Sequence, residues 1–125
     1  MILGIGMDIC DISRMERAVK SSHFVDRVFH KAEIEHAETR AKAAASYAVA
    51  FAAREAFCKA ASISMYEVVF SRGIWIERDK SGKPVIMLSE KIKKMLSSQG
   101  ELSFHISLSH EGDIAAAYVV IEKLT

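Results

Sequence analysis

Two carboxylates and one lysine have the residue types and spacing that metal and phosphate binding require. Glu55 and Lys59 are four positions apart in the alanine-rich segment 41–61, so a helix there would place both on one stripe. Asp8 ends the apolar segment at the start of the chain. Because Mg²⁺ usually takes one or two carboxylates from a protein and its other ligands from water and substrate phosphates, Asp8 and Glu55 form a candidate magnesium site. Lys59 would place a positive charge beside the same phosphates.

A structural interpretation of these residues stays open beside the metal interpretation. On a helix surface, an i,i+4 pair of Glu55 with Lys59 contributes only about 0.2–0.5 kcal/mol. The alanine-rich sequence around Glu55 instead predicts a helix inside the domain, where a charge must be paired or bound to a metal because its desolvation costs several kcal/mol. Asp8 alone can be an ordinary residue at a strand end. We expect the two carboxylates to meet when the chain folds.

Further candidate binding residues lie in the second half of the chain. His105 and Ser107 share one side of an alternating segment whose other side is apolar. Small hydrogen-bonding groups suit a surface beneath a ligand, whereas an exposed histidine is the simpler interpretation of His105. His110 has the opposite parity, and we interpret it as structural or turn-forming. In the turn Gly82-Lys83-Pro84, a lysine beside backbone N–H groups is a candidate phosphate contact.

Hydrophobic periodicity predicts the elements that position these residues. Residues 2–10 alternate as a strand, with Gly4, Gly6 and Asp8 on one face. We expect the other face, formed by Leu3, Ile5, Met7 and Ile9, to lie in the core. Ser13 and Glu16 have the spacing of a capping box, which predicts a short helix from that point. The pattern also predicts helices over 31–38, 41–61 and 90–96 and strands over 68–70, 74–78, 85–88, 101–110 and 114–121. Together these elements predict an antiparallel α+β fold packed around the long alanine-rich helix.

Composition favours a small globular protein and excludes several other classes. The 125 residues have the size of one domain, so we expect a single domain over residues 1–125. The net charge of +1 lacks the basic excess of a general nucleic-acid binder, and the longest stretch without a formal charge, residues 43–53, is too short to cross a membrane.

The cysteines, the first residues and the local charge add three further expectations. Cys10 and Cys58 form no disulfide or zinc pattern, and we interpret both as buried hydrophobic residues. No secretory leader is visible at residues 1–8, so we expect a cytoplasmic protein. The segment 14–31 contains five basic and two acidic residues, which makes it the expected contact for an acidic partner.

Four motifs, in order and in register, carry a resemblance to a known family. They are Gly6-Met7-Asp8 followed by Arg14, residues 51–60, the turn Gly82-Lys83-Pro84, and residues 104–110. With these motifs the chain resembles a holo-[acyl-carrier-protein] synthase, the short bacterial type of 4'-phosphopantetheinyl transferase. The resemblance covers nearly the whole length. It implies the fold of that family and a role in fatty acid biosynthesis.

The resemblance also implies a reaction and an assembly. The 4'-phosphopantetheine arm of coenzyme A would pass to a serine of an apo acyl carrier protein, with magnesium required and adenosine 3',5'-bisphosphate released. Because the nucleophile belongs to the partner, this chain needs no catalytic Ser or Cys of its own. Either Glu55 or a metal-bound water would take the serine proton, and the sequence does not decide between them. Each active site would lie between two subunits of a homotrimer.

The family's functional residues match positions of this chain one by one. Asp8 and Glu55 fall where the family binds the metal, and Lys59 falls where it contacts the pyrophosphate. Arg54 stands where the family commonly has lysine, and we count it among the residues that bind the adenosine phosphate end of coenzyme A. The carrier would meet Arg14, Arg17 and Arg27, and the segments with Gly82, Lys83, Pro84, His105 and Ser107 would line the coenzyme A pocket from the neighbouring subunit.

Two functions from other classes remain as alternatives. A magnesium-dependent hydrolase of nucleotide pyrophosphates would use the same carboxylates with water as the nucleophile. A non-enzymatic trimeric binding module would hold an acidic protein through residues 14–31, and Glu55 would merely pair with Lys59. The sequence does not identify the physiological carrier or show whether acylated coenzyme A is accepted.

Overall fold

The secondary structure of the chain agrees with most of the predicted elements. The computed structural model covers residues 1–125. The helices predicted over 31–38 and 90–96 are found at those bounds, and the long helix begins at Ala43 rather than at residue 41. The α-helices are α1 (Ile12–Ala18), α2 (Ser22–Val28), α3 (Lys31–Glu38), α4 (Ala43–Ala61) and α5 (Glu90–Leu96), with a π-helix at Tyr66–Phe70 and a 3-10 helix at Ser97–Gln99. The strands are β1 (Ile2–Asp11), β2 (Ile74–Arg78), β3 (Pro84–Leu88), β4 (Leu102–Glu111) and β5 (Ile114–Lys123).

One long helix lies across a small antiparallel sheet. β5 is the central strand of a three-stranded sheet with β1 and β4 at its edges, and β2 pairs with β3 in a separate two-stranded sheet. All pairings are antiparallel. Phe57 and the alanines of α4 pack with inward residues of β5 such as Val119 to form the largest core cluster. The predicted α+β fold around an alanine-rich helix is therefore confirmed. None of the helices combines the length and the apolar character that crossing a bilayer requires.

The prediction of which face of β1 enters the core is wrong. The glycine face packs on α4: a Cβ atom on Gly4 would lie 1.9 Å from the carbonyl oxygen of Ala60, and one on Gly6 would lie 1.9 Å from that of Ala56. The apolar face is exposed instead, with Ile5 retaining 59% of its accessible surface. Periodicity separates the two faces of a strand without saying which one is covered. Here the helix backbone comes closer than any side chain on β1 would allow.

The exposed apolar face of β1 forms a continuous stripe. Its members, Leu3, Ile5, Met7 and Ile9, are all exposed and large. Across the sheet they stand beside β5, where Tyr118 pairs with Met7 and is also exposed. We call this surface the apolar stripe.

Three further local predictions differ from the structure. The cap of α1 is Asp11, whose side chain accepts the Arg14 N–H, whereas Ser13 lies inside the helix and donates to Asp113. The strand predicted over 68–70 is part of the π-helix, because a short apolar run does not distinguish a strand from a buried helical turn. Helix α2, capped by Ser21, was not predicted. Cys58 is buried as expected, but Cys10 is only half-buried.

Candidate active site

Asp8 and Glu55 meet because the glycine face of β1 touches α4. Asp8 shares that face with Gly4 and Gly6, so its side chain also points to the helix. Glu55 precedes Ala56, the residue that contacts Gly6, and its carboxyl group lies close enough to Asp8 for the Asp8 carboxylate to raise its pKa. The expected meeting of the two carboxylates is thus present, and it depends on the close packing of β1 against α4.

Lys59 pairs with Asp8 and not with Glu55. Its Nζ atom donates to Asp8 Oδ1 at 3.0 Å and to the Met7 carbonyl oxygen at 3.0 Å. The ammonium group therefore bridges α4 to β1 on the solvent side of the carboxylates, where its side chain is 58% exposed. The simple helical ion pair of Glu55 with Lys59 is not formed, and Lys59 keeps donor capacity that faces solvent.

The electrostatics of the carboxylate pair suit a divalent cation. Burial, together with the hydrogen bond and the negative charge of Asp8, raises the pKa of Glu55 to about 7 against the opposing charges of Lys59 and Arg14. Two adjacent carboxyl groups that are partly removed from water resist double ionisation, and a hard cation relieves that repulsion. No group of three His, Cys, Asp or Glu side chains is placed to hold a metal. The donor set therefore fits a cation such as Mg²⁺ that takes its remaining ligands from water and phosphate.

A cavity of about 440 Å³ opens beside the carboxylates. Its walls come from β1, α1, α2 and α4, and they combine the acidic groups with an apolar side. Arg14 stands on the wall, and Arg17 is exposed further along the same helix. Arg27 lies on α2, exposed, with its guanidinium 5.3 Å from the ring centre of Phe70. The lining residues are Asp8, Ile9, Cys10, Asp11, Arg14, Met15, Ala18, Phe24, Phe51 and Glu55. We call this space the acidic cavity.

A second cavity, of about 450 Å³, lies beside β4 and is rich in basic groups. We call it the basic pocket and define it by His36, Arg40, Lys42, Arg78 and His110. Burial lowers the pKa of His36, and the charges of Arg78 and Arg40 lower it further. This shift favours the neutral form of His36, so the positive potential that attracts an anion comes from Arg40, Lys42 and Arg78.

The basic pocket was not predicted from the sequence. Its residues come from α3, the α3–α4 connection, β2 and β4, so only the tertiary structure brings them together. His110 was interpreted as structural or turn-forming, yet it lines this pocket. The other basic residues of the pocket are isolated in the sequence and form no motif.

Several predicted binding residues lie away from the acidic cavity. His105 and Ser107 are exposed on the outer face of β4, and His105 Nε2 is 3.0 Å from Glu122 Oε1. Gly82, Lys83 and Pro84 are in or beside the β2–β3 turn, where Asp79 accepts the Lys83 N–H and Gly82 has a φ of +87°. None of these residues lines the acidic cavity within one chain.

Arg54 does not occupy the position expected of a ligand-binding residue. Its side chain is fully buried, and its guanidinium binds the carboxylate of Glu33 with two hydrogen bonds. The expectation that Arg54 grips coenzyme A is therefore not supported, because its charge is already used inside the protein. No sequence pattern predicts this pairing, since the partner lies 21 residues away on α3.

The two cavities lie at opposite edges of the three-stranded sheet. The acidic cavity includes residues 8–11 of β1, and the basic pocket includes residues 108–110 of β4. Both strands are edge strands, with β5 between them. One chain therefore presents an acidic site at one edge and a basic site at the other.

Comparisons with known proteins identify relatives over nearly the full length. A family model described as 4'-phosphopantetheinyl transferase superfamily matches residues 4–119. The chain is 40% identical over 124 residues to a holo-[acyl-carrier-protein] synthase of Trichlorobacter lovleyi, covering 98% of each chain.

Solved structures of similar proteins give the same result. A holo-[acyl-carrier-protein] synthase of Neisseria meningitidis superimposes with a TM-score of 0.88 at 35% identity, covering 98% of this chain and 100% of that one. One of Bacillus anthracis, solved in complex with coenzyme A (3',5'-ADP), superimposes with a TM-score of 0.79 at 32% identity, covering 98% of each chain.

Proposed function

Since the chain belongs to the holo-[acyl-carrier-protein] synthases of the 4'-phosphopantetheinyl transferase superfamily, we propose that it transfers the 4'-phosphopantetheine arm of coenzyme A to a serine of an apo acyl carrier protein. The observation that carries this proposal is the acidic cavity, in which Asp8 and Glu55 meet beside an apolar wall while Lys59 binds Asp8 from the solvent side. Adenosine 3',5'-bisphosphate is the product that leaves. No nucleophile of this chain is needed, because the attacking hydroxyl belongs to the carrier.

Asp8 and Glu55 are the residues that would hold Mg²⁺. Their carboxylates fit this ion because they supply hard oxygen ligands at a position where a second negative charge is otherwise unfavourable. When bound, the ion supplies charge neutralisation for the pyrophosphate, which makes the phosphate end a better leaving group.

The side chains around the pyrophosphate have separable roles. Lys59 is anchored by Asp8 and by the Met7 carbonyl oxygen, so its ammonium is positioned to stabilise charge on the leaving phosphate. Glu55 is the side-chain base that we propose for the serine proton at this end of the cavity, and a metal-bound water is the other candidate. The chain mainly orients the substrates and neutralises charge, which is what phosphoryl transfer requires of a protein.

Coenzyme A carries phosphate at two places, and the protein has two charged sites. The pyrophosphate must lie at the acidic cavity, where its bond breaks. The 3'-phosphate must then bind at another site, and the basic pocket has the positive charge to bind it. Because the two sites lie at opposite sheet edges, one molecule would use the acidic cavity of one subunit and the basic pocket of the next.

Head-to-tail association of three chains satisfies this requirement. Such contacts join two different surfaces and close into a ring when the rotation permits, which agrees with the homotrimer implied by the family resemblance. The apolar stripe supports an assembly, since large exposed apolar surfaces usually mark interfaces. His105 and Ser107 lie on the same edge strand as His110, so we include them in the wall that the neighbouring subunit contributes. Gly82, Lys83 and Pro84 stay predicted contacts of the same kind.

The carrier would dock beside the acidic cavity. Arg14 and Arg17 are exposed on α1, next to the cavity entrance, and Arg27 extends the basic surface onto α2. An acidic partner is favoured there because residues 14–31 carry three more basic than acidic groups, five against two. This placement would bring the acceptor serine to the carboxylates.

A mass measurement tests the proposed function. The chain is incubated with coenzyme A, Mg²⁺ and an apo acyl carrier protein, and the carrier is then weighed. We expect the carrier to gain the mass of one phosphopantetheine and expect no gain when a chelator replaces Mg²⁺. Glu55→Gln is the matched variant, since it removes the charge and keeps the shape. A carrier that gains no mass with the unaltered chain would refute the proposed transfer.

A further inference from the structure

The most deeply buried charged group of the protein is Arg54, and it joins four parts of the fold. Its guanidinium donates to both oxygens of Glu33 and to the Ala50 carbonyl oxygen, and its centre lies 5.1 Å from the ring centre of Phe29. Glu33 is also buried. Its Oε1 accepts the His30 N–H at 2.9 Å, and its Oε2 accepts the Ile76 N–H at 3.0 Å. One ion pair therefore fixes α4 to the start of α3 and to the backbone of β2.

The same ion pair lies beneath the basic pocket. A small cavity lined by Glu33, His36 and Arg78 shares most of its walls with that pocket. His36 follows Glu33 by about one turn of α3, and Arg78 follows Ile76 by two residues on the same face of β2. The two elements that Glu33 holds are therefore the elements that present His36 and Arg78.

A buried ion pair is poor support for stability alone. Well-packed hydrophobic residues usually replace such a pair at little cost, whereas a buried charge left without its partner is strongly unfavourable. Without Arg54, the carboxylate of Glu33 would face the cations of the basic pocket and compete with an anion for them. With Arg54 bound, Glu33 is neutralised and its oxygens are directed away to the backbone.

We propose that Arg54 is a positioning residue for the basic pocket. It acts through Glu33, which it clamps and neutralises beneath the pocket, so that His36 and Arg78 remain available to a phosphate monoester. This inference rests on the proposed function in one respect: the ligand is the 3'-phosphate of coenzyme A or of its product. Arg54 itself touches neither substrate nor reacting atoms.

Nucleotide binding tests the proposal without requiring turnover. Calorimetry gives the affinity of each full-length variant for adenosine 3',5'-bisphosphate and for adenosine 5'-monophosphate, which lacks the 3'-phosphate. The ratio of the two affinities measures the contribution of the basic pocket. We expect Arg54→Met to reduce this ratio by about tenfold or more, the effect of losing one charge-assisted hydrogen bond. In a Glu33→Gln background, the same substitution should change the ratio by less than about twofold, because no buried carboxylate is left to compete.

Two further variants keep the outcome decisive. Ile92→Ala truncates a fully buried side chain on α5, outside both cavities, and should lower stability while leaving the ratio unchanged. If Arg54→Met does not fold, Arg54→Lys decides, since it keeps the charge and loses the two-pronged bond to Glu33. We expect the lysine variant to lower the ratio of the two affinities by about threefold, less than Arg54→Met does.

The contrary results are equally distinct. The proposal would be overturned if the wild-type chain bound both nucleotides equally. It would also be overturned if a folded Arg54 variant kept an unchanged ratio of the two affinities, or if the ratio fell equally in the Glu33→Gln background. Failure of the proposed transfer reaction would instead appear in the carrier mass measurement with the unaltered chain, so the two failures are distinguishable.

Discussion

Substitution of Gly6 by alanine should separate the two carboxylates by moving a helix. The added Cβ atom would lie 1.9 Å from the Ala56 carbonyl oxygen and 2.9 Å from the Ala60 nitrogen, whereas ordinary contacts begin at 3.4 Å. Both neighbours are backbone atoms, so no side chain can rotate away. To reach an ordinary contact, α4 must shift from β1 by about 1.5 Å, the difference between 3.4 and 1.9 Å.

The shift has a cost in stability and a larger cost in rate. Overpacking of this kind destabilises a protein by about 1–3 kcal/mol, sometimes more. Glu55 moves with α4 while Asp8 stays on β1, and a displacement of about 1 Å between reacting groups lowers a rate by about 10²-fold. We therefore expect Gly6→Ala to lose about 10²-fold or more in kcat/KM for the transfer to the carrier.

A second glycine provides a control of similar thermodynamic cost. Gly112 has a φ of +59° and no atom within 4 Å of an added Cβ, so alanine there costs only conformational energy, about 1–2 kcal/mol. The assay combines carrier mass spectrometry for the rate with denaturant unfolding for the free energy. Gly112→Ala should lose stability and keep its rate. If Gly6→Ala transfers the arm within about threefold of wild type, the argument that the packing of β1 on α4 sets the site is refuted.

Three more outcomes follow from the same geometry. Glu55→Gln should lower the transfer rate by at least about 10²-fold. Its melting temperature should not fall, because the substitution removes a carboxylate whose charge burial and Asp8 disfavour. A melting temperature well below that of the wild type would contradict this. Ile5→Glu, which places a charge on the apolar stripe, should sediment as a monomer and lose transfer, and an unchanged assembly would count against the stripe as an interface. Burial raises the pKa of Tyr47 from 10 to about 12, so folding favours the neutral phenol and stability should fall by about 2 kcal/mol as the pH rises from 10 to 12. Tyr47→Phe should lack this additional fall in the free energy of unfolding over the same range.

The carboxylate pair was predictable because it depends on local rules. Period-two alternation places Asp8 on the same face as Gly4 and Gly6, and a run of alanines predicts a helix that another backbone can approach. These two facts make a close approach of Asp8 to Glu55 possible, although the predicted burial of the opposite face of β1 would have turned Asp8 away from the helix. The partner of Lys59 was less predictable, since helix spacing favoured Glu55, whereas the close approach of β1 places Asp8 within hydrogen-bonding distance.

The basic pocket and the Arg54–Glu33 pair were not predictable, because each joins residues from segments that no sequence pattern relates. His36, Lys42, Arg78 and His110 are single residues on four different segments, and no periodicity relates one segment to another. The position of a helix over a sheet is determined by the summed packing of the core, which short sequence patterns do not contain. Arg54 illustrates this limit, because the motif around it suggested a ligand contact and the fold uses its charge internally.

The exposed apolar face of β1 bears directly on the proposed assembly. Had the apolar stripe been buried within the chain, as expected, the case for a second subunit would rest on the two cavities alone. The glycine face instead packs against α4, and the four large apolar side chains on the other face stay exposed to water, which is unfavourable. The strand that supplies Asp8 to the acidic cavity therefore also supplies the surface on which we propose that a neighbouring chain packs. If the proposed assembly covers the stripe, it also brings another chain to the edge where the acidic cavity opens, so Ile5→Glu should reduce association and transfer together.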